Sequence, residues 1–196
     1  MDVSEQEMTA MYHVSNDKRA RQSADLIWKG LERCLREKEY RKIHVNDINE
    51  KSYVSRATFY RLFDSIDDVL SYRCDLIFRE LEEKLVQRQF ATNHDLFLVF
   101  VEEWLSQETL VKALVENNLT GIIYDTHMKN SDLMKRVFTD VSAMTDAESD
   151  YLVSILTNIL PAVVNTWYRH GQTESPEEIY AHAKASITTI ADTLNR

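Results

Sequence analysis

Apolar residues recur at helical spacing along nearly the whole chain. From Arg21 to Glu39, Leu26, Ile27, Leu31, Cys34 and Leu35 fall at steps of one, three and four with charges on the opposite face, which predicts a first helix. Tyr40 and Ile43 lead into a short helix from about Val45 to Lys51, with Val45 and Ile48 facing inward. After a tight turn, a second short helix runs to Phe63 around a spine of Val54, Phe59, Leu62 and Phe63. Ser65-Ile66-Asp67-Asp68 has the Ser and acids of a helix start and opens a long helix to about Gln89, striped by Leu70, Cys74, Ile77, Leu81 and Leu85. A helix of roughly 24 residues spans about 36 Å, enough to act as a lever between two parts of the chain.

The second half continues the pattern. Asn93 opens an apolar-rich helix to about Ser106, and helices follow over about Glu108 to Asn117 and Gly121 to Val141, the latter with a break near Asn130-Ser131. Thr145-Asp146-Ala147-Glu148 is a capping box that opens a helix to about His170, in which Pro161 is expected to kink or loosen one turn. Gly171 ends it, and Ser175-Pro176-Glu177-Glu178 starts the last helix. Broad apolar faces on these two terminal helices, through Leu152, Leu156, Ile159 and Val163 on one and Ile179, Ala183, Ile187 and Ile190 on the other, predict a dimer interface of four-helix-bundle type.

Only 3 Gly and 2 Pro in 196 residues exclude a fold rich in turns. The expected class is all-α: an arm over residues 1–20, a three-helix domain with a helix-turn-helix over 21–66, and a larger helical domain over 67–196 for ligand binding and dimerisation. No apolar run approaches a membrane span, and the first residues lack the layout of a secretory signal, so a cytoplasmic location is expected. Cys34 and Cys74 each stand alone on a helix and read as buried free thiols.

Charge divides the chain. The net value is −9, yet residues 18–63 carry twelve bases against six acids, whereas residues 64–196 carry 11 bases against 22 acids. The positive charge lies on the segment with two short helices, where a polyanion would be drawn. That segment's second helix bears Ser55, Arg56, Thr58, Tyr60 and Arg61, residue types that contact base edges and phosphates in a major groove.

The sequence HVNDINEKSYVSRATFYRLF followed by SIDDVL resembles the TetR family of bacterial transcriptional regulators, most specifically in VSRATFYRLF. The resemblance implies an all-helical homodimer that binds a palindromic DNA operator and is released by a small effector. It assigns Ser55 to the start of the recognition helix, Arg56 and Thr58 to base contacts, Tyr60 to a phosphate and Asn46 to the backbone, with Arg61 on the same helix; His44 can still donate to a phosphate. An Arg fork suits guanine O6 and N7, and a Thr suits the thymine methyl. The chain departs from the family's usual Thr at His44, Ala at Asn49, Gly at Tyr53 and Lys at Ile66. These departures keep a second reading in view: a TetR-like dimer that binds another protein rather than an operator.

Enzymatic chemistry finds little support. His13, His44, His94, His127, His170 and His182 are scattered without ligand spacing, so neither a catalytic site, a metal site nor a cofactor is expected. Phe100, Trp104, Tyr124, Met128 and Trp167 supply aromatic and soft side chains that permit a pocket for a small apolar or aromatic effector.

Overall fold

The computed structural model describes residues 12–87, 93–138 and 144–196. Among these residues it is helical throughout: α1 Lys18–Glu37, a 3-10 turn Tyr40–Lys42, α2 Val45–Ser52, α3 Arg56–Leu62, α4 Ile66–Gln87, α5 Asn93–Leu105, α6 Glu108–Glu116, α7 Gly121–Lys129, α8 Ser131–Phe138, α9 Asp146–Arg169 and α10 Pro176–Leu194. The expected all-α class is what the chain adopts. Residues 88–92 and 139–143, including the expected ends of the fourth helix at Gln89 and of the seventh at Val141, lie outside the described residues.

Local chemistry sets most boundaries. The Asp17 side chain accepts a hydrogen bond from the Ala20 amide at 3.2 Å and starts α1 earlier than its apolar stripe does. Asp68 accepts from the Asp64 and Ser65 amides while Ser65 Oγ accepts from the Asp68 amide, a reciprocal cap for α4. Thr145 with Glu148 forms the capping box the sequence announces, and the expected helix start at Ser175 is a capping box too, with Glu178. The break at Asn130 also falls where expected, and its side chain donates to the Thr126 carbonyl at 2.8 Å. α9 runs on through Pro161 to Arg169, and Gly171 follows at φ +81°.

The chain divides into two compact units, residues 1–76 and 77–196. In the first, α1 packs on α2 at Gly30, where an added methyl would stand 2.8 Å from both the Ile48 carbonyl oxygen and the Ser52 Cβ. Ile27, Leu31, Cys34, Ile48, Phe59 and Phe63 are fully buried, the aliphatic and aromatic side chains each contributing about 1.5–3 kcal/mol by removal from water. Leu26 departs from the expected stripe: it is 47% exposed, because Ala20, Ala24 and Ile27 present the buried edge of α1 instead. Both cysteines are buried free thiols, and burial pushes the Cys34 thiol above its ordinary pKa.

In the second unit α9 packs against α5, α6, α7 and α8. Trp104, Val111, Leu114, Ile123 and Val164 form its buried centre. α10 lies against α5 and α9 but buries only Ile179. None of the described helices is long and apolar enough to cross a membrane.

Candidate nucleic-acid interface

Ser55 is extended and caps α3, its Oγ accepting from the Thr58 amide at 3.2 Å and lying 3.0 Å from Thr58 Oγ1. Its hydroxyl is therefore engaged in starting the helix. One residue on, the Arg56 guanidinium donates to Asn46 Oδ1 on α2 at 3.0 Å and to the Tyr60 hydroxyl at 3.5 Å, with its Cζ 5.3 Å from the Tyr60 ring centroid. Tyr60 stands edge-on to the buried Phe59 at 5.4 Å. Packing is thus transmitted from the core through Phe59 and Tyr60 to a cation held between two helices, with further N–H donors remaining on the same planar group.

His44, Asn46, Ser55, Arg56, Tyr60 and Arg61 are exposed and Thr58 is half-buried. His44 precedes α2 and donates its backbone N–H to Asp47 at 2.8 Å. The Lys38 ammonium, 2.7 Å from Asp47, holds that carboxyl below its usual range. Other bases are also neutralised locally: Lys42 pairs with Glu39 at 3.0 Å, Lys51 with Glu37 at 2.6 Å and Arg36 with Glu32 at 3.1 Å. Arg61 has no carboxylate partner among the described residues. The turn between α2 and α3 is made by Tyr53 at φ +58°, 92% exposed, so the tyrosine itself takes the left-handed conformation at some cost. Ile66, the first residue of α4, is half-buried.

Sequence periodicity missed the segment before α1. Within the expected arm, the His13 amide donates to the Leu62 carbonyl at 2.8 Å and Tyr12 forms an isolated antiparallel bridge with Phe63. The Tyr12 hydroxyl donates to Asp75 at 2.7 Å, and its ring meets Tyr72 edge-on at 5.3 Å. His13 Nε2 lies 3.0 Å from Asp64. Residues 12 and 13 therefore strap the end of α3 to α4, and α1 already begins at Lys18, within the stretch expected to be arm; residues 1–11 lie outside the described residues. The strap has no periodicity for a sequence to display.

The expected effector residues fall into three places. Phe100 and Trp104 are buried around the His127 ring, at 5.8 and 5.9 Å. Tyr124 and Met128 are half-buried toward α9, through Ser154 at 3.4 Å and Thr157 at 3.4 Å. Trp167 instead donates its indole N–H to the Glu174 carbonyl and lines a groove of about 330 Å³ between α9 and α10. Of the expected dimer residues, Ile159, Val163, Ile179, Ala183 and Ile187 line this same groove. Leu152 and Leu156 are half-buried, whereas Ile187 and Ile190 are 46% and 60% exposed. Tyr151, Ile155 and Leu194 extend this apolar exposure along the two helices. No group of three or more metal-ligating side chains occurs among the described residues.

No protein-family model and no curated protein sequence matches the chain. Solved structures do. Lin0861 from Listeria innocua superposes with a TM-score of 0.75 at 14% identity, covering 91% of this chain and 99% of its own. FadR from Bacillus halodurans, a fatty acid degradation regulator, gives 0.57 at 12% identity over 86% and 94% of the two chains. DhaS, a dihydroxyacetone kinase operon activator, gives 0.55 at 15% identity over 85% and 94%. At these identities the likeness is one of fold: the chain carries an all-helical architecture that proteins named as regulators also carry.

Proposed function

We propose that the chain is a DNA-binding transcriptional regulator of TetR type, a cytoplasmic homodimer that represses from a palindromic operator and responds to a small effector. The observation that carries this reading is the Arg56 guanidinium, supported by Asn46 on α2 and Tyr60 on α3 at the exposed start of a short helix. Such a side chain is oriented before it meets a guanine, so less freedom is lost on binding. Thr58 reads a neighbouring base, while His44, Asn46, Tyr60 and Arg61 hold phosphates. The exposed apolar faces of α9 and α10 supply the dimer contact that sets two recognition helices about 34–36 Å apart. α4 contributes residues to both compact units, and effector binding in the second would alter that separation through it.

Selection from random duplexes at moderate salt tests the reading. The expected product is a palindrome with half-sites about one helical turn apart, bound less tightly as salt rises. Recovery of no preferred site overturns it. The pairing of Lys38, Lys42 and Lys51 with carboxylates favours the second reading, a dimer that binds another protein, because it thins the field available to DNA. A flat salt response together with retained dimerisation would select that reading.

A further inference from the structure

His127, on α7, is 1% exposed, and Phe78, Phe100 and Trp104 surround it with ring centroids at 5.2, 5.8 and 5.9 Å. Both imidazole nitrogens and the Trp104 indole nitrogen are buried without a hydrogen-bond partner among the described residues. Three unpaired polar atoms in one aromatic cluster are costly, since buried donors and acceptors are otherwise almost always matched. Burial alone lowers the His127 pKa to about 3, so the ring is neutral at physiological pH and offers one donor and one acceptor. The neutral imidazole offers a carboxylate ligand no positive charge. A hydroxyl can donate to the unprotonated imidazole nitrogen and accept from an indole N–H.

We propose that His127 and Trp104 form the polar anchor of a small-molecule site that takes a neutral aromatic alcohol, its hydroxyl between the two side chains and its ring against Phe78 and Phe100. Trp104 was legible as a candidate; His127, which completes the anchor, was not. That occupancy controls DNA release rests on the regulator reading above. Binding itself is measured without DNA, so the two can fail separately.

The full chain, labelled with ¹⁵N-tryptophan, is titrated with benzyl alcohol, toluene, benzoate and benzylammonium. The expected result is a saturable shift of the Trp104 indole resonance with benzyl alcohol, at least tenfold tighter than with the other three. His127→Phe should abolish that preference, and His127→Gln, which keeps a donor and an acceptor, should restore part of it; circular dichroism confirms that each variant is folded. If only one variant folds, that one decides. Equal affinity for toluene, a shift confined to Trp167, no saturable shift, an ordered water retained throughout, or an unchanged preference in a folded variant overturns the proposal.

Discussion

The side chains of Asn46 and Arg56 meet at 3.0 Å, tying the first turn of α2 to the first residue of α3. On the regulator reading, Asn46 would act on base recognition through Arg56 without itself touching a base. Asn46→Ala should reduce discrimination at the base pair read by Arg56 while leaving other positions of the site unchanged, with Arg56→Ala removing about 1–3 kcal/mol at that pair. Fluorescence anisotropy over single-base operator variants reads both effects.

Tyr12 joins the end of α3 to α4 through one hydrogen bond and two ring contacts. Tyr12→Phe should lower stability by about 1 kcal/mol. Tyr12→Ala should lower it further, since the ring contacts with Phe63 and Tyr72 go as well. Urea midpoints at constant m-value separate the two losses.

His127 predicts acid sensitivity of defined sign. Unfolded, its imidazole takes up a proton near pH 6.5, whereas the folded chain holds it neutral down to about 3. Its contribution is therefore unchanged above 6.5, and stability declines as pH falls from there, by up to about 1.4 kcal/mol per pH unit. Unfolding free energies between pH 7.5 and 5 should show this slope, and His127→Gln should remove its share.

Ile190 is 60% exposed on α10 beside Ile187. If these residues bury against a second copy, Ile190→Glu places a charge in that contact and should yield a monomer. Light scattering at micromolar concentration checks the outcome, with a wild-type monomer refuting the interface itself.

The sequence displays those parts of the fold that local chemistry decides. The caps at Ser65, Thr145 and Ser175 depend on residues three apart, and the stop at Gly171 depends on one backbone angle, so each is visible without tertiary information. Which of the adjacent Leu26 and Ile27 turns inward is decided by what packs on α1, and there periodicity misleads. The candidate recognition residues are legible as residue types, but the support of Arg56 by Asn46 spans ten positions and two helices. The neutralisation of Lys38 and Lys51 likewise depends on carboxylates brought close only by folding. His127 reads as an ordinary helical histidine until the three rings around it are assembled.

Gly30 carries a consequence for genetics. It is buried, and the Ile48 carbonyl lies where its side chain would begin, so any replacement must push α2, and with it Asn46, away from α1. If the chain regulates transcription as proposed, a screen for loss of regulation should recover alleles at codon 30 beside those at codon 56, although Gly30 is buried.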